Sequence, residues 1–64
     1  MKPITPAVVA QITRNLIEFG YKGLTREHVQ EQIDKLVVGE KPTGAIGMFT
    51  RGMLVENGYM EEEA

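Results

Sequence analysis

An all-α bundle of three short amphipathic helices is the fold that this 64-residue sequence predicts. Glycine and proline divide the chain into three segments, at about residues 6–19, 26–38 and 44–56. Each segment follows a threonine that suits a helix N-cap, and each repeats apolar residues at the three- to four-residue spacing of one helix face. No segment alternates apolar and polar residues in the way that a half-buried strand does.

The first helix is predicted over residues 6–19. Thr5 serves as its N-cap, and Pro6 stands at the first helical position, where the missing N–H costs nothing. Gly20 suits the left-handed residue that often follows a helix. The residues predicted to face the core share one side of this helix: Val9, Ile12, Leu16 and Phe19.

The second helix is predicted over residues 26–38, with Thr25 as its cap and Glu27 favourable to the helix dipole in its first turn. Gly39 ends it, and Pro42 prevents its continuation. Its predicted core residues are Val29, Ile33, Leu36 and Val37, whereas its opposite face is polar and carries Glu27, Gln30, Glu31, Asp34 and Lys35.

The third helix, over residues 44–56, lacks such a polar face. Thr43 is its predicted cap and Asn57-Gly58 its stop signal. Its predicted inward residues are Ala45, Ile46, Phe49 and Met53. The other side should be polar if it meets water. Its only charged residue is Arg51, and its other residues are Gly44, Gly47, Met48, Gly52, Leu54 and Val55.

A helix that is apolar all round is usually buried all round, and a bundle this small supplies little cover. One interpretation is an interface with another protein or with a second copy in a homodimer. The other is that the third helix is central, flanked by the N-terminal segment and by Tyr59-Met60, which are expected to fold back over its last turn. The residues predicted to bind a partner are Tyr21, Met48, Arg51, Gly52, Leu54, Val55, Tyr59 and Met60.

Few side chains suit catalysis or ligand chemistry. The chain has neither cysteine nor serine, so it forms no disulfide and no thiolate zinc site. Its single histidine, His28, lies off the apolar stripe of the second helix. We therefore expect no enzyme activity, no catalytic, cofactor-binding or metal-binding residue, and no small-molecule substrate.

Apolar runs are short, and the longest near the start, residues 7–10, is far too short to span a membrane. We expect a cytoplasmic protein with one domain over residues 1–60 and an acidic tail over residues 61–64. The function predicted is that of a non-catalytic interaction module, or a regulator or inhibitor of a protein partner, a role that also suits a viral or phage accessory protein.

The alternative function is that of a small helix-turn-helix DNA-binding protein, in which the second and third helices form the motif. Seven basic and nine acidic residues give a net charge of −2, unlike the basic footprint of proteins that neutralise many phosphates. The third helix offers only Thr50 and Arg51 near its middle for contacts with base edges. Nucleic-acid binding is therefore the less favoured prediction.

One stretch resembles a known family. Leu16-Ile17-Glu18-Phe19-Gly20-Tyr21, followed by a capped helix from Thr25, is similar to the first loop of ubiquitin-associated (UBA) three-helix domains. The resemblance implies a docking surface at Phe19, Gly20, Tyr21, Leu54 and Val55. The loop at residues 21–24 and the longer second connection depart from the family pattern. In the other interpretation, Phe19 and Tyr21 close the core around a glycine C-cap.

Overall fold

In a computed structural model, which describes residues 2–62, three α-helices pack against one another. They are α1 (Pro6–Phe19), α2 (Arg26–Val37) and α3 (Gly44–Glu56), which confirms the predicted three-helix bundle, with α2 ending one residue early. None of these helices combines the length and apolarity that crossing a bilayer requires. The last two residues of the predicted acidic tail lie outside the described part of the chain.

Threonines precede all three helices, but only two of them cap through the side chain. Thr5 Oγ1 accepts a hydrogen bond from the Val8 N–H at 3.4 Å, and Thr25 Oγ1 accepts one from the His28 N–H at 3.2 Å. Thr43 occupies the N-cap position of α3 without making such a bond. The prediction of a threonine cap was therefore wrong in its chemistry for α3, whose first N–H groups have no side-chain acceptor.

The core takes three apolar side chains from each of α1 and α2 but only Leu54 from α3; the others are Val9, Ile12, Leu16, Val29, Ile33 and Leu36. In α1 and α2, two predicted core residues are instead exposed, Phe19 by 69% and Val37 by 53%. Each is the last residue of its helix. There the apolar spacing continues, but neighbouring elements leave most of the side chain uncovered.

Helix α3 is rotated relative to its predicted orientation. Its buried residues are Gly47, Thr50 and Leu54, whereas Ala45 is exposed. The other predicted inward residues, Ile46, Phe49 and Met53, are half-buried at the edge of the core. At about 100° per residue, the buried side lies roughly 120° from the predicted one.

Two residues allow this orientation of α3: Gly47, which has no side chain, and Thr50, whose hydroxyl is hydrogen-bonded within the helix. A Cβ on Gly47 would lie 3.1 Å from Gln32 Oε1 and 3.3 Å from Pro42 Cβ, so glycine lets α3 approach α2 and its connecting loop closely. Thr50 is fully buried, and its hydroxyl donates to the Ile46 carbonyl at 2.8 Å. That bond satisfies the hydroxyl within the helix, so its burial leaves no unpaired polar group.

The two ends of the described chain meet beside the last turn of α3. The Tyr59 and Met60 N–H groups both donate to the Leu54 carbonyl, at 2.8 and 3.2 Å, which confirms that these residues fold back over the helix. The Lys2 N–H donates to the Gly58 carbonyl at 3.2 Å. Lys2 Nζ also lies 4.8 Å from the centre of the Tyr59 ring.

Candidate functional site

The solvent-facing side of α3 is nearly free of charge. Its exposed residues are Gly44, Ala45, Met48, Gly52 and Glu56, and Met48 is 65% exposed. On α2, by contrast, every exposed residue except Val37 is polar or charged. The helix that contributes least to the core thus also has the least polar outer side.

Aromatic side chains extend this apolar surface from α3 to the end of α1. The ring centre of Phe19 lies 5.3 Å from that of Phe49 and 6.2 Å from that of Tyr21. Phe49 shares one helical stripe with three other α3 residues at i, i+3, i+4 and i+7 spacing. We call the resulting surface the α3 outer face, and it consists of Phe19, Ala45, Met48, Phe49 and Gly52.

On the α3 outer face, Gly52 has neither a packing contact nor a backbone conformation that requires glycine. A Cβ built on it would meet no heavy atom within 4 Å, and its φ is not positive. Glycine within a helix costs about 1 kcal/mol relative to alanine. The other two glycines of α3 have reasons inside the chain, since Gly44 adopts a φ of +75° and Gly47 permits close packing. The fold itself does not require glycine at position 52.

Beside the α3 outer face lies a groove of about 430 Å³ between α3, the loop after α2 and the C-terminal segment. Met48, Arg51 and Met60 line it, together with apolar Leu36 and Pro42 and charged Glu40, Lys41 and Glu61. Within residues 2–62, the half-exposed Arg51 side chain makes no ion pair or hydrogen bond. Three of the eight predicted partner-binding residues therefore meet in one groove.

The other predicted partner-binding residues lie outside this groove. Tyr21 stacks with Phe19, Gly52 is exposed, and Val55 is half-buried. Tyr59 is half-buried and lines a separate groove near Met53.

Leu54 was predicted to lie outward, and this was wrong, because its side chain is fully buried in the core. The error follows from the rotation of α3. Sequence reasoning also placed Ala45 and Phe49 on the inward side, although Ala45 is exposed and Phe49 reaches the α3 outer face. The close approach at Gly47 fixes the orientation, but the glycine alone does not show which neighbour approaches it.

The acidic side chains within residues 2–62 are all exposed. Residues 2–62 contain no group of three histidine, aspartate or glutamate side chains placed to hold a metal ion. His28 is exposed, at the start of α2. Every buried side-chain nitrogen or oxygen in the same range has a hydrogen-bond partner.

No protein-family model, curated protein or solved structure matches this chain. The three-helix, all-α fold is compatible with the UBA resemblance, but no matching family or structure supports that family specifically. The aromatic turn at Phe19 meets Phe49 in the middle of α3, whereas the resemblance points to the end of that helix. Leu54, which the resemblance also implies as a docking residue, lies in the core.

Proposed function

We propose that this chain is a non-catalytic protein-interaction domain that binds another protein through the α3 outer face. The observation that carries the proposal is the exposure of Met48 and Phe19, by 65% and 69%, on a surface with almost no charge. Such a surface is stabilised when a partner removes it from water.

The chemistry of the face suits a protein partner. Burying a phenylalanine or methionine side chain fully is worth about 1.5–3 kcal/mol, so two of them supply a compact anchor. Methionine also adapts its shape to varied surfaces. The absence of a side chain at Gly52 lets a partner's backbone approach the helix, which accounts for a glycine that the fold does not need.

Two kinds of occupant fit this proposal. One is a different protein, which this domain regulates or inhibits by covering the surface it binds. The other is a second copy, because a two-fold dimer pairs the same face on both subunits and covers it twice. Sedimentation of the purified protein separates the two, because self-association needs no other protein.

DNA binding receives less support from the exposed residues of α3. A recognition helix presents Arg, Lys, Asn or Gln to base edges. The exposed positions of α3 are occupied by Gly44, Ala45, Met48, Gly52 and Glu56, and Arg51 is only half-exposed. We therefore propose no nucleic-acid function.

The proposal is tested by placing a charge on the face and a matched charge elsewhere. Met48→Glu should weaken binding at least tenfold, because the partner would have to bury a carboxylate without a counter-charge. Val37→Glu is the control, since Val37 is 53% exposed and lies on α2 among polar residues. Binding is measured by sedimentation of the purified protein and by quantitative capture of partners from the producing cells.

Circular dichroism should show the same helix content in both variants, since both side chains are exposed. If Met48→Glu binds as the unmodified protein does, or if Val37→Glu loses binding equally, the α3 outer face is not the docking surface. Steep salt dependence of binding to duplex DNA would instead support the helix-turn-helix alternative.

A further inference from the structure

Asn57 and Gly58 follow each other directly at the end of α3. Asn57 is the C-cap of the helix and is exposed, and Gly58 follows it with a φ of +82°. Glycine carries no side chain, so position 58 places no side chain between its backbone nitrogen and the side-chain carbonyl carbon of the preceding asparagine. These two atoms are separated by few bonds and close into a five-membered ring.

We propose that Asn57 is a site of spontaneous deamidation whose rate the fold controls. The Gly58 nitrogen forms a bond to Asn57 Cγ, and the bond from Cγ to Nδ2 breaks. The side-chain NH₂ leaves as ammonia with the proton from the Gly58 amide, which leaves a succinimide. Water then opens the ring at either carbonyl and gives aspartate or isoaspartate, so that no cofactor or oxidant takes part.

Both reacting groups are engaged in hydrogen bonds with α3 in the folded chain. The Gly58 N–H donates to the Val55 carbonyl at 3.2 Å, and Asn57 Nδ2 donates to the Met53 carbonyl at 2.8 Å. The last turn of α3 must therefore open before the ring can close. Lys2 opposes this opening, because it contacts both the Gly58 carbonyl and the Tyr59 ring.

Deamidation would alter this end of the molecule in two ways. A carboxylate at Asn57 cannot donate to the Met53 carbonyl, and it adds negative charge at the negative end of the helix dipole, next to Glu56. The isoaspartate product also lengthens the backbone by one carbon. That shift displaces the Tyr59 and Met60 N–H groups from the Leu54 carbonyl, so Met60 leaves the groove beside α3.

The proposal is tested on the full chain at mildly alkaline pH, with peptide mapping by mass spectrometry over time. We expect Asn57 to convert readily in denaturant and at least about tenfold more slowly when folded, because the local opening is rare. Lys2→Ala should accelerate conversion of the folded chain by about two- to fivefold, the factor that an exposed cation–π contact supports. Asn15, the only other asparagine, precedes Leu16 within α1 and should remain unchanged.

Hydrogen exchange provides the structural readout. The Tyr59 and Met60 amides should exchange slowly before conversion and rapidly after it. The proposal is overturned if Asn57 resists conversion in denaturant, if folded and unfolded chains convert equally fast, or if Lys2→Ala changes nothing. Unchanged exchange at Tyr59 and Met60 after conversion would contradict the displacement of their N–H groups from the Leu54 carbonyl.

Discussion

The three glycines of α3 differ in what their missing side chains allow. Gly44 adopts a backbone conformation that other residues rarely take, and Gly47 admits Gln32 and Pro42 from the same chain. Gly52 does neither, since the space around it is open. A position that weakens the helix and serves no contact within the domain is most simply explained by a contact outside it.

Gly52→Ala should raise the free energy of unfolding by up to ~1 kcal/mol, because alanine favours the helix and meets no obstruction. Gly47→Ala, the matched change on the buried side, should lower it, since the added methyl would press against Gln32 and Pro42. Urea unfolding followed by circular dichroism measures both. If Gly52→Ala destabilises the free domain, the open space at this position has been described incorrectly.

Gly52→Ala should also weaken partner binding while it stabilises the free domain, because the methyl group occupies the space that a partner's backbone would use. Titration of the variant with the captured partner, or sedimentation if the partner is a second copy, gives the change in Kd. Unchanged affinity would show that the partner does not approach Gly52 closely.

Leu54→Ala should cost about 2–5 kcal/mol of stability, as removal of a fully buried leucine usually does. In a domain this small, that loss can unfold much of the population. Val55→Ala, at the neighbouring half-buried position, should cost less than half as much. Thermal unfolding of the two variants distinguishes them, and a fully stable Leu54→Ala would contradict the core described here.

At the level of the helices, the caps provide the clearest contrast. Thr25→Ala should cost about 1 kcal/mol, because it removes an acceptor for the His28 N–H. Thr43→Ala should cost only a few tenths, since the Thr43 side chain makes no capping bond. Urea midpoints of the two variants measure the difference. Equal losses would mean that Thr43 caps α3 in solution.

The helix boundaries were predictable because threonine caps, glycine stops and apolar spacing agree for α1 and α2. The orientation of α3 was not predictable by the same means. Apolar residues occur on several sides of this helix, so their spacing does not identify one side as the buried one. The buried side is instead fixed by Gly47 and by Thr50, a small residue and a polar one that apolar spacing does not select.

The candidate site was predictable only in part for the same reason. Met48 and Gly52 were placed outward correctly, because they remain exposed after the rotation of α3. Leu54 was not, since it turns inward with that rotation. The spacing of apolar residues predicted that Phe19 lies in the core. Its exposure depends on how far the neighbouring helices extend, and the sequence around Phe19 does not encode that length.

The small size of the whole molecule limits its stability, so that binding of a partner changes the measured stability clearly. The described chain has a Cα radius of gyration of 10.8 Å and one small core. A domain of this length buries only about 60% of its unfolded surface, so its stability is modest. Any partner that binds only the folded state therefore raises its apparent stability noticeably.

If the partner is a second copy, the midpoint of thermal unfolding should rise with protein concentration, because dissociation accompanies unfolding. Met48→Glu should abolish that dependence, and Val37→Glu should retain it. Calorimetry over a hundredfold range of concentration measures the effect. A midpoint independent of concentration in the unmodified protein would exclude a dimer over that range and leave a different protein as the occupant.

Photo-crosslinking from the α3 outer face, in the cells that produce this protein, tests directly whether a partner docks there. A diazirine amino acid replaces Met48 in one variant and Gln30, which is exposed on the polar face of α2, in another. If a partner docks on the α3 outer face, the Met48 position gives one discrete crosslinked protein, or a crosslinked dimer, and the Gln30 position gives none. Absence of any crosslink from the Met48 position, or equal crosslinking from both, would show that the α3 outer face is not the docking surface.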